Sequence, residues 1–273
     1  METIYVGNTL INDVFVGSVR MDDIVSFPIT LQQEAYMFLS SSATINTYVI
    51  ASAVNTLVLD LKAYGIWDKM YAIYPMVGGN SESCKWNLKD TTKYNLNYTG
   101  SWTFNDNGMT NSNTQWAGTS FTGDLFGSWS GSNSIGVYSR TSASDTGVDI
   151  GDSSLSHYVS CRYGDGNNKF ILGSDNQSAA VATGAGFFMG NYDRVQFPAF
   201  TKFTYRNGTQ IGTGTAYNLS AASSNQYYIG GGSSDPSSRN YAYAFLGQAL
   251  STTEITNYNT AVQAFQTTLG RNV

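Results

Sequence analysis

The spacing of apolar residues divides the chain into stretches of different period. Residues 4–25 hold a short internal repeat: Ile4-Tyr5-Val6-Gly7-Asn8-Thr9 is echoed ten residues on by Val14-Phe15-Val16-Gly17-Ser18-Val19. Each copy is a β-branched and aromatic run closed by glycine, the signature of a strand entering a hairpin turn. So small a hairpin buries too little surface to stand alone. It reads either as strands added to the main fold or as an N-terminal docking element, with Phe27-Pro28 as the break behind it. Further on the period lengthens. Val49, Ala53, Leu57 and Leu61 recur at four-residue spacing, widened by Val54, Val58 and Leu59, while Asn55, Thr56, Asp60 and Lys62 are polar. That stripe predicts an amphipathic helix stopped at Gly65. A second short helical turn is expected from Ile66 to Ile73, ahead of Pro75.

From Cys84 onward the pattern is strand, turn, strand. Alternation marks Trp86-Asn87-Leu88, Ser101-Trp102-Thr103-Phe104, the run from Ile135 to Ser139, and that from Tyr158 to Tyr163. It returns in Phe203-Thr204-Tyr205 and from Tyr241 to Phe245. Asn207-Gly208 is the strongest hairpin signal, since a type I′ turn needs positive φ at both central residues. Gly230-Gly231-Gly232 follows a strand with no helix behind it, so it reads as a sheet-edge turn and not as a phosphate loop. The chain closes on Ser251-Thr252-Thr253-Glu254, a capping box. Behind it Ile255, Tyr258, Val262, Phe265 and Leu269 share one helix face, and Gly270 ends it. That face packs on the sandwich or on another subunit. Many strands without intervening helices predict a mainly β sandwich or barrel. The chain divides into a hairpin element (1–28), a helical connector (29–80) and a sandwich with its closing helix (81–273).

Composition sharpens this. Hydrophobic residues make up 41%, enough for a real core, but charged residues only 12%, about half the usual share. The surface must therefore rely on Ser, Thr, Asn, Gln and Gly, which crowd the stretch from Ser81 to Asn240. The net charge is −5 with no Lys/Arg cluster, which disfavours nucleic-acid binding. No apolar run approaches the ~18–20 residues of a membrane span. Met1-Glu2-Thr3 does not read as the start of a signal peptide. Two cysteines, Cys84 and Cys161, are too few for a disulfide framework and read as buried thiols.

Catalytic chemistry is sparse. His157 is the only histidine, it stands in an alternating run without a nucleophile motif, and it reads as a strand residue. Glu2, Glu34, Glu82 and Glu254 include no pair two residues apart on a strand face, and glycoside hydrolysis needs two facing carboxylates. Asp145, Asp149 and Asp152 lie close together in Ser/Gly-rich sequence. They read as solvated turn residues, with a calcium site and catalysis as the lesser alternatives. No cofactor is expected. Trp102, Trp116 and Trp129, with several tyrosines, lie among Asn, Ser and Gly, residue types that suit sugar stacking as well as a core.

Taken in order, these motifs resemble a known family. Phe203-Thr204-Tyr205-Arg206-Asn207-Gly208-Thr209, then Tyr228-Ile229-Gly230-Gly231, then the run from Ala244 to Ile255 resembles the concanavalin A-like lectin/glucanase (laminin G-like) superfamily. The segments Asn55–Lys62, Ile73–Gly79 and Ala261–Arg271 look more specifically like a lectin-like domain of tailed-phage virion proteins, as does the Tyr-Val-Gly/Phe-Val-Gly repeat. The resemblance implies a jelly-roll sandwich on the particle exterior, as a head fibre, decoration or tail fibre protein. Its expected partners are capsid or tail proteins and a host-surface glycan, in a homo-oligomer of the trimeric kind common among fibres. Tyr5, Val6, Gly7, Phe15, Val16 and Gly17 would dock it. No enzymatic activity is implied, because the E-x-D-x-x-E strand of the enzymatic branch is missing. The alternatives are a carbohydrate-binding module of a secreted cellular protein and, less favoured, a glycoside hydrolase.

Overall fold

The computed structural model describes residues 4–6, 9–11, 15–16, 19–20, 30–42, 47–112, 115–126, 132–172, 175–193, 201–215, 224–231 and 235–273. At the N-terminus the sequence repeat becomes a structural one. β1 (Ile4–Val6) pairs antiparallel with β2 (Thr9–Ile11), Val6 opposite Thr9. β3 (Phe15–Val16) pairs the same way with β4 (Val19–Arg20), Val16 opposite Val19. Gly7, Gly17, Phe27 and Pro28 lie outside the described residues.

Two helices follow, α1 (Gln33–Ser40) and α2 (Tyr48–Ala63). Ala53, Leu57 and Leu61 of the four-residue stripe are buried, as are Val54 and Val58, whereas Val49 at the first turn is 48% exposed. Thr47 caps α2, its hydroxyl accepting from the Ile50 N–H, and Gly65 turns the chain away at φ 70°. The helical turn expected over Ile66–Ile73 is not there. Trp67–Lys69 is a short 3-10 turn, and β5 (Met70–Tyr74) is a strand. Its side chains divide between the two sides of a sheet, Ala72 and Tyr74 facing one core and Ile73 the other. Trp86–Leu88 is likewise not a strand but irregular chain, behind the short helix α3 (Ser81–Cys84). Buried Asn87 fixes it: its Oδ1 accepts from the N–H of Ile73 and Lys89, and its Nδ2 donates to the carbonyls of Tyr71 and Lys93.

The remaining strands are β6 (Asn97–Tyr98), β7 (Thr103–Asn105), β8 (Gly108–Thr110), β9 (Ala117–Thr122), β10 (Asn133–Ser139), β11 (Ile150–Asp152) and β12 (His157–Ser160). They continue as β13 (Asn167–Leu172), β14 (Asp175–Ala180), β15 (Gly186–Asp193), β16 (Thr201–Arg206), β17 (Thr209–Thr215), β18 (Gln226–Ile229) and β19 (Asn240–Gln248). They form two antiparallel sheets. The inner sheet runs β17-β16-β15-β10-β19-β8-β7, with β5 also on β19; the outer sheet runs β14-β13-β12-β11-β18-β9-β6. Asn207 and Gly208, at φ 48° and 74°, make the expected type I′ turn between β16 and β17.

Alternation along the inner sheet separates two cores. Ile135, Val137, Phe188, Ala244 and Leu246 meet Phe121, Ile150, Val159, Phe170 and Ile229 of the outer sheet. Their neighbours Tyr138, Phe187, Tyr243 and Phe245 point the other way, into a layer built by α1, α2 and α4 (Thr252–Thr268). The capping box of α4 is present, with the Ser251 hydroxyl accepting from the Glu254 N–H and the Glu254 carboxylate from the Ser251 N–H at 2.7 Å. Past α4, buried Arg271 donates to the carbonyls of Pro75, Met76 and Ala242 and to Gln266 Oε1, sealing the chain end onto the inner sheet. The layers are therefore helix, sheet, sheet. The far face of the outer sheet is the one that no described helix covers.

Candidate functional site

That uncovered face follows from strand alternation. Where Ala117, Thr119 and Phe121 of β9 point inward, Gly118, Ser120 and Thr122 point out, as does Trp116 just before the strand. On β18, Gln226 and Tyr228 face out against buried Tyr227 and Ile229; on β11, Gly151; on β12, Tyr158; on β13, Lys169 and Ile171. Register lines several of these up across the strands. Gly118 stands opposite Tyr228, Tyr228 opposite Gly151, Gly151 opposite Tyr158, and Tyr158 opposite Ile171.

Half-buried aromatics gather on this face. The Trp116 ring meets Tyr228 edge-on, with centroids 6.2 Å apart and planes at 85°, a favourable quadrupole arrangement. The Tyr228 hydroxyl reaches the Gln226 carboxamide at 3.4 Å, and that carboxamide lies over Gly118. Further across, burial first, and then the neighbouring Tyr163 and Asp235, push the Tyr158 phenol above its ordinary pKa. Tyr163 carries the Lys169 ammonium 3.7 Å above its ring, and Asp165 holds that ammonium at 3.1 Å. Ser120, exposed, sits at φ 57° inside β9, where two extra residues bulge the strand against β18. Bulges re-aim side chains and recur beside binding sites. Here the bulged Ser120 hydroxyl accepts from the Asn97 amide at 3.2 Å. The result is a platform of flat rings, edged by uncharged amides and hydroxyls at the Trp116 and Tyr228 end and by the Lys169–Asp165 pair at the Tyr163 end, chemistry suited to stacking and hydrogen-bonding with a polyhydroxylated ligand.

The residues singled out in the sequence separate here. Trp116 belongs to the platform. Trp102 does not: its ring packs against Tyr98 at 5.9 Å and over Gly230 at the end of β18. Trp129 and Gly232 lie outside the described residues, while Gly230 and Gly231 form the expected turn at positive φ. Tyr5 and Val6 lie in β1, and Phe15 and Val16 in β3. Tyr158, Tyr163, Tyr228 and Gln226 were not individually foreseen. Their outward direction depends on a register that only the folded sheet sets, though the alternation of Tyr227 and Tyr228 hinted that one of that pair faces out.

The three aspartates are structural, and two of them are not solvated. Asp149 is fully buried in an ion pair with Arg239 at 3.0 Å. It also accepts from Ser237 Oγ, Tyr241 OH and the Cys161 N–H. Arg239 completes its fork on the carbonyls of Thr141, Ala143 and Arg162. Burial alone would lower the guanidinium pKa, but the Asp149 carboxylate holds it above the usual value. Buried Asp152 gathers Ser154, Ser156 and the His157 N–H, and half-buried Asp145 accepts from Ser238 and Gly147. Among the described residues no group of three or more His, Cys, Asp or Glu side chains could hold a metal ion. His157 is buried against Phe126, Phe170 and Tyr227, its Nδ1 hydrogen-bonded to the Tyr227 hydroxyl. Burial pushes its pKa down to about 3, against the upward pull of Asp152 and with the help of Lys202. Cys84 and Cys161 are buried free thiols.

No protein-family model matches the chain, and no curated protein does either. Solved structures do match. Domain 4 of an extracellular GH43 arabinanase from Geobacillus stearothermophilus, solved with arabinotriose, superposes with a TM-score of 0.51 at 15% identity, covering 70% of this chain and 98% of that one. A Trypanosoma rangeli sialidase solved with sialic acid gives 0.52 at 10% identity, covering 78% of this chain and 39% of that one. The chain thus spans well under half of that sialidase. At such identities the likeness is one of fold, and the shared fold is the lectin-like β-sandwich.

Proposed function

We propose that this chain is a non-catalytic, glycan-binding protein displayed on the exterior of a tailed-phage particle. Its N-terminal hairpins dock it to capsid or tail proteins, and its outer sheet faces a host-surface glycan. The observation that carries the binding half is the platform of Trp116, Tyr228 and Tyr158 on the face that no described helix covers, with uncharged polar groups around Trp116 and Tyr228. The docking half is supported by the paired hairpins β1–β2 and β3–β4, each too small to be stable unless packed on something larger. The non-catalytic reading is supported by Asp149 and Asp152, whose carboxylates are turned inward and engaged by protein donors.

Two measurements test this. A glycan array probed with the full chain and with Tyr228→Ala should show hits that the variant loses, without release of reducing ends. Sugar hydrolysis, or an array with no hit, defeats the binding half. Particles lacking the protein should take up the full chain and not a chain lacking residues 1–28; equal uptake of both defeats the docking half. A second reading is a glycan-binding module of a larger secreted protein. The match over 98% of the arabinanase domain, a module of that larger enzyme, favours it. It predicts sugar binding with no particle uptake.

A further inference from the structure

The aromatics on the open face fall into two pairs, one on each side of β11. Trp116 and Tyr228 form the first, ring edge to ring face. Tyr158 and Tyr163 form the second: Tyr158 stands opposite Ile171 of β13, and Lys169, two residues along that strand on the same face, sets its ammonium 3.7 Å above the Tyr163 ring. Between them the outward position of β11 is Gly151, which stands opposite Tyr228 on one side and Tyr158 on the other. Glycine is required there, because a Cβ would collide with the Tyr158 Cβ and with the His157 carbonyl oxygen. Gly151 adds no side chain of its own, and it is buried because its neighbours close over it. Two inter-strand steps place the Tyr228 and Tyr158 backbones about 10 Å apart. A single sugar ring occupies one pair, and a ligand touching both must run across the strands.

Charge narrows the ligand further. Around the first pair the outward side chains Gln226, Ser120 and Asn97 are uncharged. At the second pair the Asp165 carboxylate holds the Lys169 ammonium at 3.1 Å, over the Tyr163 ring. A carboxylated sugar would therefore bring its charge beside a carboxylate with no uncommitted ammonium from Lys169 to receive it.

Building on the glycan-binding reading, we infer that the open face takes a linear, neutral oligosaccharide lying across β18, β11 and β12, with one ring on each aromatic pair. The test is calorimetric titration of the full chain with neutral linear oligosaccharides of glucose, xylose, mannose and arabinose, each from disaccharide to hexasaccharide. Sialylated and uronate oligosaccharides of matching length run alongside. For at least one neutral series, affinity should climb with length and level off once both pairs are filled. Tyr158→Ala and Tyr228→Ala should each weaken the longer members about tenfold and flatten the length dependence. Tyr158→Phe, which keeps the ring, should preserve it. Sugar binding that is independent of length, or tighter for the acidic series, overturns the inference while leaving glycan binding standing. No binding of either series overturns the glycan-binding reading itself. The wild-type length series needs no variant to fold.

Discussion

Buried Asp149 and Arg239 face each other 90 residues apart in sequence, with neither side chain exposed. Removing one partner strands the other charge in the interior. Arg239→Met is therefore expected to cost about 3–5 kcal/mol, with the double variant Asp149→Asn/Arg239→Met less damaged than the sum of the singles; urea denaturation measures both. His157 gives a pH signature. The fold holds it neutral down to about pH 3, whereas the unfolded chain takes a proton near 6.5. The unfolded state thus binds more protons in that window. Stability should fall as pH drops from about 6.5 toward about 3, by up to about 1.4 kcal/mol per pH unit from this group. His157→Gln should flatten that slope, and an unchanged slope would assign it to other groups. Burial pushes the Cys84 thiol up to about 11, so native protein should resist a thiol-exchange reagent that labels both cysteines once urea unfolds it. None of these pairings was legible in the sequence. Asp145, Asp149 and Asp152 look alike in Ser/Gly-rich surroundings, and the groups that distinguish them arrive from distant strands.

Single elements were more legible, because their signals are local. The Asn207-Gly208 hairpin and the Ser251 capping box each need only neighbouring residues, and both formed as the sequence required. Gly208→Ala should cost about 1–2 kcal/mol, since φ 74° strains any Cβ, and Ser251→Ala about 1 kcal/mol; thermal melts of each variant check this. β5 misled for a definite reason. Ile66, Met70 and Ile73 stand at helical spacing, while Ala72 and Tyr74 alternate like a strand, and a run so short satisfies both periods. Hydrogen bonds from β19, far along the chain, decide between them. Trp86–Leu88 failed differently: alternation was present, but the Asn87 carboxamide claims the backbone groups a strand would have paired.

At the scale of the molecule, sandwich and closing helix were legible, but not the assignment of faces. One sheet face lies under α1, α2 and α4 and the other sheet's far face does not, and which tyrosines reach that open face follows from register. Removal of α4 should uncover Phe187, Tyr243 and Phe245, about 1.5–3 kcal/mol of burial apiece. A chain ending at Ser251 is expected to aggregate or bind a hydrophobic dye, and a soluble, dye-silent product would show that the helix is dispensable. The Arg239 fork has a wider consequence. Three of its contacts are to backbone oxygens, at Thr141, Ala143 and Arg162, and those are present whatever side chains the segments carry. The loops near the aromatic platform hang from an internal rivet that is largely indifferent to their sequence. Residues 142, 143, 144 and 146 can therefore change their side chains without loosening the frame, whereas Asp145 and Asp165 are tied by their own hydrogen bonds.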